Sequence, residues 1–451
     1  MGHQTRATFG SKLSAVLVAA GGAVGLGNIW RFPYVAGENG GGAFLAIYIL
    51  CAVIMGLPIM LAEFVIGRSS HSNAFGAFRH HSNLWKYMGF NCILTSFLIM
   101  GFYCVVAGWT IEYTVHSVAS GIARSTLADE HAAYFSAFIS NPWRPVLYTA
   151  AAMLLTHTVI ALGVRKGIER CSRMLMPVLL IMLVVLAVRS LMMPGGFEGL
   201  RFFLYPDFSK VSARTLLVAI GQVFFSLSVG LGSMITYASY FKSDTDLRTT
   251  AVNVTVIDTL VAVLAGLVIF PAVFSVGIEP SAGSSLVFIT LPSIFATMPL
   301  STVWSTLFFL LLAVAALTSV ISLHEVITAC IHEEWHIRRR TAAWITTLSI
   351  TVLGTAASLS LGLLDGWRIF GLTIFDALDF VTANILLPVS GMFSALFAGW
   401  VIKRTTFVDE LTGRSMKYSR QAEVVRILLR YVCPIMLSLI FLDNLGLLNW
   451  L

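Results

Sequence analysis

The sequence predicts an all-α integral membrane protein with eleven transmembrane helices and a cytoplasmic N-terminus. Helices 1–5 are repeated in inverted orientation as 6–10, and helices 1 and 6 are broken. Three observations carry this. The 451 residues are 57% hydrophobic and 11% charged, with a mean hydropathy of +0.85, outside the range of water-soluble domains of this length. Eleven apolar segments reach the roughly 20 residues that cross a bilayer. The first of them contains Gly21-Gly22-Ala23-Val24-Gly25-Leu26-Gly27-Asn28, and a matching interruption, Phe225-Ser226-Leu227-Ser228-Val229-Gly230-Leu231-Gly232, follows 204 residues later.

Taken in order, segment 11–36 is apolar on both sides of its glycines. Each Gly costs a helix about 1 kcal/mol, and unpaired backbone groups in hydrocarbon cost several more, so the break must line a cavity or bind something. The segment lacks a small-residue cleavage site and reads as a retained span rather than a signal peptide. Segments 41–67, 86–119, 145–162 and 168–190 complete a first repeat of about 11–190. Segment 214–241 carries the second break. With 247–275, 302–335, 341–362 and 369–401 it forms a second repeat of about 214–401, and 424–446 is an extra helix. Five spans per repeat is an odd number, so the halves lie in opposite orientation within one domain, 1–451. Connecting stretches fall near 120–144, 191–213, 276–301 (a helical lid) and 402–423.

With the N-terminus inside, inward ends and loops hold 21 of the 29 Lys and Arg residues, including Arg165, Lys166, Arg170, Arg173 and Arg338-Arg339-Arg340. That obeys the positive-inside rule. The net charge of +7 then matches an anionic leaflet, not nucleic acid. The six Cys (Cys51, Cys92, Cys104, Cys171, Cys330, Cys433) show neither metal-ligand spacing nor a disulfide pattern.

Two interrupted segments at corresponding positions of two halves point to a transport site near the bilayer midplane. A break exposes carbonyl oxygens, which replace the water shell of a hard cation, and helix N-terminal amides, which receive a carboxylate. Both groups are available from Ala23 to Asn28.

Arg31-Phe32-Pro33 after the first break, Glu38 to Phe44, Lys166 to Arg170, Gln222 to Gly232, Ile235 to Tyr240 and Leu317-Thr318-Ser319 resemble the neurotransmitter:sodium symporter family. The resemblance runs through spans 1–10, and an eleventh span with none after it is similar to a bacterial branch of that family. It implies a first Na⁺ held by the Ala23 carbonyl, Asn28, Ser226, Asp258 and the substrate carboxylate. A second Na⁺ would use the carbonyls of Gly21, Val24 and Ala315 with the hydroxyls of Thr318 and Ser319. The substrate carboxylate would meet the amides of Leu26 and Gly27 and the Tyr103 hydroxyl. Its ammonium would meet the carbonyls of Ala23 and Phe225 and the Ser226–Ser228 stretch.

Gly25 stands where amine-carrying members of the family have Asp, which leaves room for the substrate's own carboxylate and implies an L-amino acid. Ile99, Leu231, Leu323, the edge of Phe225 and space at Gly22 make a side-chain pocket suited to a neutral hydrophobic or aromatic residue; Ser319 also belongs to this substrate set. Asp258 replaces the family's Asn at the first sodium position. Ala262, one turn on, offers nothing to chloride, so transport is expected to be chloride-independent. Arg31 with Asp379 would gate the outside, Arg6 with Glu333 the inside with Tyr240 nearby, and Tyr103 with Phe225 would form an aromatic lid. Glu63 would brace the second break near Ser228, and Glu325 stands on the cytoplasmic pathway where the family has Gln.

The implied partners are the amino acid, two sodium ions and the lipid bilayer, with no nucleic acid and a monomeric or dimeric state; the implied setting is a bacterial cytoplasmic membrane. No catalysis is expected. His332-Glu333-Glu334-Trp335-His336 has the H-E-x-x-H form of a zinc-protease helix, but it falls where a span leaves the membrane, with no third ligand, and reads as chance; His80-His81 reads as an interfacial pair. A metalloenzyme on that helix, and a channel or substrate sensor on the same fold, are the competing readings. Gates on both sides argue against a continuous pore.

Overall fold

A computed structural model describes residues 7–277, 287–412 and 419–447, and among these the only β-pairing is two isolated bridges. Arg6 and residues 278–286 of the outer lid fall outside the described residues. The first apolar segment folds as α1 (Lys12–Ala23) and α2 (Gly27–Glu38), bent by 53° at the glycine run. Then follow α3 (Gly42–Ser70), α4 (Asn83–Val118), α5 (Arg144–Ala161) and α6 (Val164–Leu191). The second half opens with α7 (Ala213–Ser226) and α8 (Ser233–Ala238), again separated by non-helical residues. It continues with α9 (Leu247–Ser275), α10 (Ser301–Glu334), α11 (Arg339–Leu359), α12 (Ile374–Val401) and the extra α13 (Arg420–Asn444).

Eight described helices are long and apolar enough to cross a membrane, or nine with the bent α1–α2 pair counted as one. The two further apolar segments of the sequence are α5, which carries Arg144 and His157, and the short helices α7 and α8. Large apolar side chains are exposed along helix faces, such as Leu50, Val53 and Ile54 on α3, Val252, Val256 and Leu260 on α9, and Leu348 and Val352 on α11. So much unpartnered apolar surface suits a lipid surround rather than water. The connecting stretches carry short helices: Ala128–Ile139, Gly196–Leu204, Thr290–Thr297 and Arg404–Thr412.

Local chemistry explains both breaks. Val24 is extended (φ −66°, ψ 118°), so the hydrogen-bond ladder of α1 ends with its own N–H on the Ala20 carbonyl. In the second break Ser228 (φ 51°), Gly230 (φ 84°) and Gly232 (φ 73°) occupy the left-handed region, which is open to Gly and strained for other residues. Between them the breaks bring α1, α2, α7 and α8 against α3, α9 and α10 at the centre of the molecule.

Candidate functional site

The backbone groups freed by the first break are met by specific side chains. The Gly25 N–H donates to Asn28 Oδ1 (3.1 Å) and the Leu26 N–H to the Tyr103 hydroxyl (3.0 Å). Gln222 Nε2 donates to the Gly27 carbonyl (2.9 Å), which ties the two broken helices together. Ser228 Oγ donates to the Gly22 carbonyl (3.0 Å). Glu63, fully buried on α3, accepts the Gly230 N–H at 2.6 Å, so it does brace the second break, and its other oxygen, Oε2, has no hydrogen-bond partner.

A fully buried polar cluster stands on the α7 and α9 side of the break. Asn28 Nδ2 lies 2.8 Å from Asp258 Oδ1, 3.1 Å from the Asp258 carbonyl and 2.7 Å from Ser226 Oγ. Three oxygens thus converge on one donor group. Ser226 Oγ donates in turn to Asp258 Oδ2 (2.7 Å). Tyr48 of α3 places its hydroxyl 3.0 Å from Ser226 Oγ and 3.2 Å from Asp258 Oδ2. Tyr48 is absent from the sequence-derived set; a single Tyr in an apolar span gives no signal of its own. A carboxylate, a hydroxyl and a backbone carbonyl converging in a dry site are oxygens that suit a hard monovalent cation.

On the other side of α1, Thr318 Oγ1 and Ser319 Oγ each reach the Val24 carbonyl at 3.4 Å, and Thr318 Oγ1 lies 2.9 Å from the Ala315 carbonyl. Four members of the second expected cation set are therefore together. Gly21, the fifth, lies three residues before Val24 and packs against Ser172 and Met176.

Two cavities adjoin at the break. The inner one, about 30 Å³, is lined by the expected Gly22, Ala23, Gly25, Gly27, Ile99, Tyr103, Phe225, Ser228, Leu231, Ser319 and Leu323, and by Ser233, Ser322 and Leu387, which sequence reasoning missed. The outer vestibule, about 390 Å³, is walled by aromatic side chains with Arg31, Asp376 and Asp379. Tyr103 and Phe225 line both cavities, so they form the partition between them. A Cβ at Gly25 would fall 2.1 Å from Ser319 Oγ and 2.9 Å from the Tyr103 hydroxyl. The space expected at Gly22 is taken by neighbours: a Cβ there would sit 3.0 Å from Ser322 Oγ and 3.1 Å from the Tyr237 ring.

At the outer gate the residues are arranged differently from the pair expected, and Arg6 of the inner pair lies outside the described residues. Arg31 lays its guanidinium over the Phe225 ring, 4.5 Å from the centroid, and shares the vestibule with Asp379 without a direct ion pair. Glu333 accepts from the Asn73 backbone N–H (2.8 Å) and side chain (2.9 Å). Tyr240 donates to Glu325 Oε1 (2.7 Å), and Arg339 binds both Glu325 oxygens. This joins the turn after α8 to α10 and the start of α11. The Gln expected at position 325 from the family pattern could not neutralise Arg339. Because Glu325 is fully buried, Glu325→Gln strands the Arg339 charge and is expected to cost about 3 kcal/mol of stability. Thermal unfolding in detergent checks this: Glu325→Gln should melt below wild type, and Glu325→Gln with Arg339→Gln should recover much of the loss.

The H-E-x-x-H residues are engaged otherwise. Glu334 pairs with Arg79 (2.8 Å) and His332 Nδ1 lies 2.5 Å from the Ile337 carbonyl. Among the described residues no group of three His, Cys, Asp or Glu side chains could hold a metal ion.

The chain is similar to known proteins over nearly its whole length. Residues 6–134 and 136–449 match the family model described as the Sodium:neurotransmitter symporter family. A sodium-dependent transporter of Bacillus subtilis is 36% identical over the full length of both chains. One from Haemophilus influenzae is 37% identical over 98% of this chain and 99% of its own. The sodium-dependent serotonin transporter of Drosophila melanogaster is 27% identical over 98% of this chain and 76% of its own. The crystal structure of MhsT in complex with L-phenylalanine superposes with a TM-score of 0.89 at 41% identity, covering 97% of this chain and all of that one.

Proposed function

We propose that this chain, which belongs to the sodium:neurotransmitter symporter family, imports a neutral hydrophobic or aromatic L-amino acid together with two sodium ions, without chloride. The family is one of multi-pass membrane transporters, not enzymes, and its sodium use and fold are those of the chain's relatives. Eleven spans, a cytoplasmic N-terminus and a bacterial cytoplasmic membrane complete the reading.

The observation that carries the substrate class is Gly25. No side chain fits between it, Ser319 and Tyr103. An amine carrier's Asp therefore has no place there, while the Leu26 amide and the Tyr103 hydroxyl are at hand for a substrate carboxylate. The L-phenylalanine bound to MhsT supports the same class. In this account Asn28, Ser226, Asp258 and the Ala23 carbonyl hold the first ion, with Tyr48 orienting the Asp258 carboxylate. Gly21, Val24, Ala315, Thr318 and Ser319 hold the second. Asp258 supplies the negative charge that makes a mobile anion unnecessary.

Transport proceeds by alternating access. Sodium orders the broken helices, the amino acid completes the first ion's shell, and the Tyr103–Phe225 partition closes above it. The bundle of α1–α3 and α7–α9 then rocks against the remainder, and loss of the second ion opens the inside. A tenfold gradient gives about 1.4 kcal/mol per ion and 100 mV about 2.3 kcal/mol per charge. Two ions therefore supply roughly 7 kcal/mol, enough for strong accumulation.

The test is equilibrium binding of a panel of L-amino acids to purified protein in Na⁺ or choline, with chloride or gluconate. Tight binding of large apolar amino acids only in Na⁺, equal in both anions, is expected. Binding that survives in choline would remove the coupling, and binding lost in gluconate would remove the role given to Asp258.

A further inference from the structure

The first turn of α6 presents a cluster of cations that the transport site does not use. Arg165, Lys166, Arg170 and Arg173 border a shallow, open depression of about 550 Å³, with Glu169 and Met174 at its edge. The turn Val164–Glu169 buries Val164, Gly167 and Ile168 against the protein, which turns the basic side chains outward, where all four are exposed. The pocket's one carboxylate is already engaged: Glu169 Oε2 accepts the Gly10 N–H at 3.0 Å. Arg165 is partly engaged as well, donating from Nε to the Thr8 carbonyl at 2.6 Å. Among the described residues the side chains of Lys166, Arg170 and Arg173 have neither an ion pair nor a hydrogen bond. Lys166 and Arg170 stand at i, i+4, and Arg170 and Arg173 at i, i+3, like-charge spacings that destabilise a helix unless an anion sits between them.

A second observation says what kind of anion. Directly below the cluster on the same helix, Met174, Val178, Ile181, Val185 and Val188 are exposed to between 42% and 63%. Their spacing of four, three, four and three residues puts them on one face of α6. A shallow cationic depression at the membrane surface thus continues into an apolar stripe long enough for an acyl chain. We propose that this end of α6 binds the headgroup phosphate of an anionic phospholipid, whose chain lies along the stripe. Through Arg165 and Glu169 the site touches the Thr8–Gly10 segment that leads into α1, so bound lipid would bear on the inward side of the broken helix. The proposal rests on the membrane placement of α6, and not on the identity of the transported substrate. Basic pockets at cytoplasmic ends of spans recognise such headgroups.

The experiment is native mass spectrometry of the purified full chain, titrated in detergent with phosphatidylglycerol or phosphatidylcholine. Saturable retention of phosphatidylglycerol over phosphatidylcholine is expected. Lys166→Gln with Arg170→Gln and Arg173→Gln should weaken it at least tenfold while the melting temperature stays at the wild-type value. Arg165 is left intact because it also holds Thr8. Equal retention of the two lipids, or retention unchanged in the triple variant, would reduce the cluster to a topology signal and overturn the proposal. Displacement by millimolar inorganic phosphate would overturn the lipid assignment in favour of a soluble anion. Amino-acid binding is scored separately, so failure of the transport reading and failure of the lipid site are told apart.

Discussion

Asp258→Asn is expected to lower the apparent sodium affinity about 100-fold, and chloride should not restore it. Asn keeps the size of Asp and can still accept from Tyr48 or Ser226, so the cluster with Asn28 survives as a neutral network. What disappears is one charge. A unit charge about 4 Å from a cation is worth about 4 kcal/mol at an effective dielectric of about 20. Part of that is offset because the desolvated carboxylate no longer has to be accommodated, which leaves roughly two decades in affinity. Chloride cannot substitute, since Ala262, one turn further along α9, has no donor to hold it. Sodium titrations of amino-acid binding measure the effect, with the melting temperature as a check that the fold persists. A variant that binds sodium within threefold of wild type would show that Asp258 does not serve the ion.

Gly25→Ala, in the break, is expected to reduce amino-acid binding about 100-fold, whereas Gly21→Ala, in the last turn of α1, should stay within a few-fold of wild type. The two changes are chemically identical and differ in available space. The new Cβ at position 25 would lie 2.1 Å from Ser319 Oγ and 2.9 Å from the Tyr103 hydroxyl, so the groups proposed to receive the substrate and the second ion must move. At position 21 the nearest atoms, in Ser172 and Met176, are 3.5 Å and 3.7 Å away, and the carbonyl proposed to hold sodium is untouched. Overpacking costs about 1–3 kcal/mol, and the upper end corresponds to the predicted loss. Equal behaviour of the two variants would detach Gly25 from substrate selection.

Much of this architecture is legible in the sequence because the membrane penalises irregular backbone. Glycines at 21, 22, 25 and 27 inside an apolar run, echoed at 230 and 232, announce the breaks, and the oxygen-bearing residues beside them suggest the proposed cation sites. Asn28, Ser226 and Asp258 lie far apart in the chain and only the family resemblance groups them, while the cost of a carboxylate in an apolar segment singles out Asp258 by itself. Tyr48 escapes that logic, since its ring is at home in lipid and only its hydroxyl takes part. The Glu325–Arg339 pair is equally hidden: the partners lie on two helices separated by a turn, and nothing in their spacing says that the chain folds Arg339 back onto Glu325. Gly22 misleads for a different reason. A missing side chain creates room only where neighbours leave it, and Ser322 and Tyr237 do not. The family resemblance offers Arg31 as a gate residue, but that its guanidinium lies over the Phe225 face is a tertiary contact that no local pattern encodes.

The most direct test of sodium-coupled amino-acid import is uptake of radiolabelled L-phenylalanine and L-leucine into proteoliposomes containing the purified chain, driven by an inward Na⁺ gradient. The account predicts accumulation above equilibrium that is unchanged with gluconate in place of chloride, abolished with choline in place of Na⁺, and enhanced by an interior-negative potential. Equilibration without accumulation, at the same rate in Na⁺ and in choline, would contradict it.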